Sequence, residues 1–336
     1  MHSWLLGRIG KSLITVYLVA SASFFLTRFM PGSPIDAYVS SQLALGITRE
    51  QAIQQAAALL AYNPNDSLWR QYLHYMWRLL HGDLGQSIVS PGTPVTTYVG
   101  KYLPWTLLSV GLGTLLAFII GMFLGVLIAY RRGGFFDHFF TNVSSFLHAV
   151  PNYVWAVAIL IIFGVKLKWF NVNDVAGAYS PGLHPNVSCD CISDMRYHAA
   201  VPILVYTITS VGGWIIVMKS STTQVLDEDF VTVAKARGLH DSRIRTTYVG
   251  RNAVLPLFTS FAISIGFVVG GSTLVEQVFR YQGVGFYLYA ALQQRDYPVL
   301  QGFILVITIS VVIANLVADL LLSRIDPRIR TEGDTR

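Results

Sequence analysis

Few residues of this 336-residue chain are of types and spacings that catalyse reactions. Residues 213–220, Gly-Trp-Ile-Ile-Val-Met-Lys-Ser, partly imitate a phosphate-binding P-loop, but Met218 stands where the second glycine is required. The sequence contains neither an H-E-x-x-H metal motif nor a G-x-S-x-G nucleophile motif. We therefore expect a protein that is not an enzyme, holds no metal and hydrolyses no nucleotide by itself.

The remaining polar groups of interest lie in or beside apolar runs. Asn315 and Asp319 are four residues apart and share one face of a helix, where a packing or capping role is favoured over ion coupling. His148 is either a functional group inside the membrane or a hydrogen-bond partner for irregular backbone near Pro151. Two cysteines, Cys189 and Cys191, cannot build a disulfide framework or fill a zinc site, and their role stays open.

The densest charge lies between two apolar runs, in residues 227–256. Three acids occupy positions 227–229, and Lys235 and Arg237 stand just before Gly238. Acids at the start and cations at the end complement a helix dipole, and glycine suits the left-handed conformation that ends a helix. We predict a short helix over residues 230–237, outside the membrane, that contacts another protein. A solvated loop with helix caps is the alternative.

The composition is typical of a membrane protein. Charged residues make up 12% of the chain and hydrophobic residues 53%, whereas soluble domains average about 25% charged residues. Six apolar runs approach or exceed the length that crosses a hydrocarbon core of roughly 30 Å. They cover residues 12–30, 102–130, 139–165, 199–218, 252–275 and 297–318. We expect an all-α polytopic membrane protein with six transmembrane helices, the third kinked at Pro151.

Six spans place both termini on one side of the membrane. Lysine and arginine concentrate in the N-terminus, at 131–132, in 219–251 and in the C-terminal tail. The positive-inside rule makes that side the cytoplasm of a cell (inner) membrane. Basic loops beside membrane spans also account for the net charge of +6. We therefore expect a lipid bilayer, and no nucleic acid, as partner. The apolar run after Lys11 favours an uncleaved first span over a signal peptide.

The pattern divides the chain into four segments. They are a cytoplasmic N-terminus with the first transmembrane helix (1–30), an extracytoplasmic insertion (31–101), a core of five transmembrane helices (102–323) and a cytoplasmic tail (324–336). Amphipathic stretches at 49–60 and 67–80 predict a small helical cap in the insertion. We place the cluster of Tyr and Trp residues at 69–77 at the lipid headgroups, in preference to a ligand-stacking role.

Several motifs follow one another along nearly the whole chain. The longest is Asp-Phe-Val-Thr-Val-Ala-Lys-Ala-Arg-Gly-Leu at 229–239, followed by Arg-Asn-Ala-Val-Leu-Pro at 251–256. The others are Pro-Gly-Ser-Pro (31–34), Gly-Asp-Leu-Gly-Gln-Ser (82–87), Leu-Pro-Trp-Thr-Leu (103–107), Glu-Gln-Val-Phe (276–279), Gly-Val-Gly (283–285), Arg-Asp-Tyr-Pro-Val-Leu-Gln-Gly (295–302) and Asp-Pro-Arg (326–328). In order and spacing they resemble the B-type permease subunits of oligopeptide and dipeptide ABC importers. The chain departs from that pattern at Thr232, Val233 and Gln282 and in the loop 174–197.

The resemblance implies a permease that works by alternating access. A second permease subunit, identical or homologous, would enclose the pathway with this chain, and a substrate-binding protein would deliver cargo at the outer face. Two ABC ATPase subunits would supply the energy, so that ATP and Mg are bound by the partners and no cofactor by this chain. The coupling loop implied at 222–251 would dock on an ATPase through Asp229, Phe230, Val233, Ala234, Lys235, Ala236, Arg237, Gly238 and Leu239.

The cargo implied first is peptide, and oligosaccharides or another small solute remain open. Two alternatives lie outside this class: a secondary transporter that works alone, and a membrane scaffold that transports nothing.

A second candidate site lies between the fifth and sixth apolar runs. Residues 276–285 leave no room for a full secondary-structure element, and we predict a re-entrant outer gate over the pathway. Its residues are Glu276, Phe279, Gly283 and Gly285. An ordinary turn is the alternative.

Overall fold

The structure, a computed structural model, describes residues 2–29, 34–44, 46–60, 67–183 and 189–325. The helices are α1 (His2–Phe29), α2 (Pro34–Ala44), α3 (Arg49–Leu60), α4 (Leu68–Leu80), α5 (Val95–Tyr130), α6 (Phe135–Ala149), α7 (Asn152–Lys166), α8 (Cys189–Leu226), α9 (Asp229–Ala236), α10 (Asp241–Ala253), α11 (Leu255–Val268), α12 (Thr273–Val278), α13 (Val284–Gln293) and α14 (Tyr297–Ile325). Within these ranges the only β-type pairing is an isolated bridge between Gln86 and Pro94. The motif residues 31–33 and 326–328 and most of the predicted tail lie outside the described residues.

Four helices, α1, α5, α8 and α14, are each long and apolar enough to cross a membrane. Two bent pairs pass the same test together: α6 with α7, bent by 96°, and α10 with α11, bent by 43°. The described part of the chain therefore holds four spans, or six if each bent pair is one span. Six is the number that the apolar runs predict. The all-α polytopic membrane fold is confirmed.

The third predicted span is broken rather than kinked. Helix α6 ends at Ala149, and Val150 and Pro151 adopt extended backbone with ψ angles of 125° and 143°. Proline lacks the N–H that would continue the helix, and it disfavours helical backbone at the residue before it. The sequence predicted the position of the break correctly. It predicted a kink, however, whereas the two halves are bent by 96°.

Helix α8 is longer than the apolar run that predicted it. It has 38 residues and extends beyond the run 199–218 at both ends. At 1.5 Å per residue such a helix is about 57 Å long, well beyond a hydrocarbon core of roughly 30 Å. The apolar run therefore identifies only the apolar middle of α8 and not the ends of the helix. Much of the predicted loop 222–251 is consequently helical, since α8 enters it and α10 begins at Asp241.

Helices α5 and α8 form the centre of the core, and small residues bring them together. Gly113, Ala117, Gly121 and Gly125 recur every fourth residue on α5, along one face. A Cβ at Gly125 would lie 2.6 Å from the Cβ of Met218, and one at Gly113 would lie 2.5 Å from the Cβ of Tyr206. Any larger side chain would push the helices apart. This is how helices pack in lipid, where close van der Waals contact replaces the hydrophobic effect.

The first and last spans are joined at both ends. At one end, Arg8 Nη1 lies 2.6 Å from Asp319 Oδ2. Toward the other end, Gln301 Nε2 donates to Thr27 Oγ1 at 2.5 Å. Asp319 therefore has the packing role expected from the sequence, since its carboxylate links α14 to α1.

The insertion forms three helices, α2 to α4, and two of them match the amphipathic stretches predicted from the sequence. Ser67 caps α4 by accepting a hydrogen bond from the N–H of Arg70 at 3.4 Å. Tyr72 on α4 stacks on Phe25 of α1 with ring centroids 5.4 Å apart. Trp69 and Trp77 remain more than 60% exposed. One side of the aromatic cluster thus packs against the first span while the other is free for lipid headgroups.

Candidate functional site

The short helix predicted at residues 230–237 is present as α9, and only two residues separate it from the long helix α8. Helix α9 begins at Asp229, directly after Asp227 and Glu228. Glu228 is the N-cap in extended backbone, and its carbonyl accepts from the N–H of Val231 at 3.0 Å. With so short a linker, a displacement of α9 must displace the C-terminal end of α8.

The end of α9 is stabilised by a Schellman motif. Gly238 has a φ of +70°, the left-handed region that glycine enters without steric cost. The N–H of Gly238 donates to the carbonyl of Lys235 at 2.9 Å, and the N–H of Leu239 donates to that of Ala234 at 3.3 Å. Leu239 also packs against the apolar cluster to which Ala234 belongs. The helix stop predicted from Gly238 is confirmed.

One face of α9 is buried and the opposite face is exposed. Val231 and Ala234 are buried in one apolar cluster with Met218, Val249 and Leu257. On the opposite side Phe230 is 40% exposed and Val233 is 52% exposed. The charged and small side chains of Asp229, Lys235, Ala236 and Arg237 are also exposed. Of the nine predicted coupling residues, Ala234 and Leu239 thus anchor the helix to its own chain.

The sequence missed Val231, the most buried residue of α9. Its spacing of three from Ala234 was the available signal, because residues at i and i+3 share a helix face.

Polar contacts tie this segment to two other inner elements. Arg132, in the turn after α5, pairs with Asp227 at 2.9 Å. Lys219, eight residues before Asp227 on α8, pairs with the mostly buried Asp137 of α6 at 2.5 Å. The first contact joins the linker before α9 to the turn after α5, and the second joins α8 to α6.

The predicted outer gate is organised around Glu276, whose side chain is buried with 1% exposure. Its Oε1 accepts from the hydroxyl of Thr106 on α5, and its Oε2 accepts from the N–H of Phe286 on α13, both at 2.9 Å. The Thr106 oxygen in turn accepts from the N–H of Val284 at 2.7 Å. Burial raises the pKa of the Glu276 carboxyl to about 7, against the opposing effect of hydrogen bonds from Phe286, Thr106 and Gly285.

Glycines make this arrangement possible. A Cβ at Gly283 would overlap Thr106 Oγ1 and the Glu276 carboxylate, and one at Gly285 would lie 2.8 Å from Thr273 Cα. Phe279 is 2% exposed and packs with the buried ring of Tyr281. All four predicted gate residues therefore meet in one buried cluster. Residues 276–285 hold only the last three residues of α12, a turn and the first two residues of α13, so this segment contains no full element, as expected.

A second carboxylate links two motifs that are far apart in sequence. Asp296, 4% exposed, accepts from the N–H of Ile88 at 3.1 Å and from the hydroxyl of Ser87. The motifs at 82–87 and 295–302 thus meet in the fold. Sequence reasoning singled out both without pairing them.

The break between α6 and α7 opens onto a cavity of about 660 Å³. Its lining comes from α5, α6, α7, α8 and α11 and includes Val150, Pro151 and Asn152 from the break itself. The exposed ring of His148 lies over Gly213, and a Cβ there would be 3.1 Å from it. Within the described residues we find no hydrogen bond from this ring. The structure therefore places His148 in the cavity lining, and it does not show the backbone-bonding alternative.

One cluster near the N-terminal end of α8 combines a serine, a histidine and an aspartate. Ser180 Oγ lies 2.5 Å from Asp194 Oδ1 and 3.3 Å from His198 Nε2. Asp194 also faces Nε2, at 3.6 Å, whereas Nδ1 of His198 is buried without a partner. A catalytic triad needs the carboxylate on the nitrogen opposite the nucleophile. The cluster instead fastens the loop before α8 to that helix. In the first turn of α8, Cys191 is buried with its Sγ 3.6 Å from Met195 Sδ.

Comparison with known proteins gives consistent relatives. The family of binding-protein-dependent transport system inner membrane components matches residues 121–331. A putative peptide permease of Brucella suis is 32% identical over 98% of both chains. The oligopeptide transport system permease protein AppB of Bacillus subtilis is 31% identical over 98% of this chain and 99% of its own. The dipeptide transport system permease protein DppB of Escherichia coli is 30% identical over the same shares.

The family match covers more than half of the chain and contains α8, α9 and the four residues predicted for the gate. The relatives align over nearly their full lengths, so the insertion at 31–101 is part of the likeness as well. This multi-pass membrane protein therefore belongs to the family of inner membrane components of binding-protein-dependent transport systems.

Proposed function

We propose that this chain is the transmembrane permease subunit of an ATP-driven ABC importer for peptides. The observation that carries the proposal is the full-length similarity, at about one third identity, to permeases named for peptides, oligopeptides and dipeptides. The chain forms half of the translocation pathway and works by alternating access. It is not catalytic, and the ATP and Mg of the transport cycle belong to its partners.

The exposed face of α9 supports an ATPase as the cytoplasmic partner. Phe230 and Val233 form an apolar pair among charged side chains, outside the membrane. Apolar surface of this kind, rimmed by polar groups, marks a protein interface. The short linker to α8 and the ion pairs at Asp227 and Lys219 carry a push on this face into the spans.

The rest of the assembly follows from the same proposal. A second permease subunit completes the pathway, two ATPases bind at the cytoplasmic face, and a substrate-binding protein docks at the outer face. Both termini of this chain lie in the cytoplasm. The cluster of Glu276, Phe279, Gly283 and Gly285 closes the outer end of the pathway, and the buried hydrogen bonds of Glu276, which hold three helices together, support this role.

Reconstitution into liposomes tests the proposal. The permease, its sister subunit, both ATPases and the binding protein from neighbouring genes are combined, and uptake of labelled di-, tri- and pentapeptides is measured. We expect uptake only with ATP on the ATPase side and only with the binding protein present. Uptake by this chain alone would identify a secondary carrier, and ATP-dependent uptake of oligosaccharides but not peptides would overturn the cargo.

A further inference from the structure

The cavity beside the break between α6 and α7 is lined in part by backbone that is not helical. Val150 and Pro151 are non-helical in the middle of a candidate span. Irregular backbone at membrane depth is tolerated only where protein buries it or where it lines a water-filled cavity. Here Val150, Pro151 and Asn152 all line the cavity of about 660 Å³. The break therefore indicates a space that holds water or a polar solute.

The lining is mostly apolar with seven polar side chains, and it carries no formal charge from acids, lysine or arginine. Its polar side chains are Thr114, His148, Asn152, Thr209, Ser210, Ser260 and Ser264. The other members are apolar residues and Gly213. A space built to select charged side chains would present opposite charges, and this one presents none among its described residues.

The hydroxyls are oriented by their own helices. Ser260 Oγ donates to the carbonyl of Pro256 at 3.1 Å, and Ser264 Oγ donates to that of Phe261 at 2.8 Å. Thr209 Oγ1 donates to the carbonyl of Val205 at 3.0 Å. Because each proton is already engaged, the lone pairs of these oxygens remain as acceptors toward the cavity. The His148 ring supplies a donor on the facing wall.

We infer that this cavity holds the main chain of the transported peptide and does not read its side-chain charge. Acceptors on α8 and α11 suit the N–H groups of an extended peptide, and the imidazole of His148 suits a carbonyl. This inference rests on the proposed function and adds to it the segment of the pathway and the part of the cargo that is recognised. Discrimination between acidic and basic peptides then lies outside this chain's cavity.

A charge placed in the cavity after assembly tests the inference. In a chain whose two native cysteines are replaced by serine, Ser264→Cys is modified with a sulfonate-bearing or a trimethylammonium-bearing methanethiosulfonate in the reconstituted complex. Uptake of an acidic and a basic dipeptide is compared with uptake before modification. We expect the sulfonate to reduce the ratio of acidic to basic uptake about tenfold, and the ammonium to raise it similarly, because a nearby fixed charge is weakly screened there. Steric block by either adduct affects both peptides equally and cancels in the ratio.

Thr259→Cys is the matched control, because Thr259 lies five residues before Ser264 on the same helix α11 and does not line the cavity. Modification there should leave the ratio unchanged. An unchanged ratio with fully modified Cys at 264, or no modification at 264 in any nucleotide state, would overturn the inference. If the unmodified complex imports another solute but no peptide, the proposed function itself fails, which is a separate result.

Discussion

The coupling segment and the gate cluster are both short elements between spans, yet they are built in opposite ways. Helix α9 is a local structure: its N-cap, its helical residues and its Schellman stop all lie within residues 228–239. The gate cluster is assembled from Thr106, Glu276 and the N–H groups of Val284 and Phe286, which come from three separate helices. One surface is exposed and the other is buried.

This difference predicts how substitutions in each element will act. Helix α9 presents most of its side chains outward, so many substitutions there should alter contacts with a partner more than the fold. The Glu276 cluster has almost no surface to present, and its substitutions act first on the protein itself. Four predictions follow this contrast, from the largest expected effect to the smallest.

Replacing the central carboxylate should destabilise the protein most. Glu276→Ala leaves the Thr106 hydroxyl and the Phe286 N–H buried without an acceptor, and we expect a cost of about 3 kcal/mol. The measurement is the thermal midpoint in detergent. Asp229→Ala, which removes an exposed carboxylate from α9, is the control and should change stability by less than about 0.5 kcal/mol. Equal shifts in both variants would contradict the contrast.

The pKa of Glu276 gives the gate cluster a pH dependence. The unfolded carboxyl ionises near its ordinary value of 4.5, whereas the folded one ionises at about 7. Between these values the folded protein binds more protons than the unfolded chain, so stability falls as pH rises. We expect a loss of up to about 3 kcal/mol between pH 4.5 and pH 7 from this group. Thermal midpoints of Glu276→Gln, which cannot ionise, should show a flatter profile over that window.

A change at the helix stop should uncouple transport. Gly238→Asp puts an L-residue in left-handed backbone, at about 1–2 kcal/mol, although nothing lies within 4 Å of the new Cβ. The chain itself has room, so the main effect falls on the ATPase contact. We expect uptake to fall about tenfold, with unchanged amounts in the membrane and less ATPase copurified.

Gly238→Asn is the matched control, because asparagine tolerates left-handed backbone and carries no charge. It should retain more of the uptake. Normal uptake by Gly238→Asp, with the ATPases still bound, would refute docking at this helix.

Two neighbouring residues on opposite faces of α9 provide the finest test. Phe230→Ala should weaken ATPase copurification a few-fold and leave the thermal midpoint nearly unchanged, because its ring is exposed. Val231→Ala should lower stability by about 1 kcal/mol through the cavity that it leaves. The reverse pattern would mean that the faces of α9 are assigned incorrectly.

The accuracy of the sequence predictions follows the same division. Helix α9, its stop at Gly238, helices α3 and α4 and the break at Pro151 were predicted because capping residues, amphipathic spacing and proline act within a few residues of themselves. The ends of α8 were not predicted, because an apolar run identifies only the apolar part of a helix, and the helix continues beyond that part. No local sequence pattern predicted the contact of Ser87 with Asp296 or the contact of Thr106 with Glu276.

The sequence by itself determined the class of the protein, its apolar spans, the place and ends of the coupling helix and the family that its motifs resemble. These properties arise from composition and from contacts between residues close in the chain. The tertiary structure decided which face of α9 is exposed, how buried Glu276 is and where the cavity lies beside the broken span. Such properties depend on which distant helices pack together, and a buried carboxylate or a cavity beside a broken span exists only once they have done so.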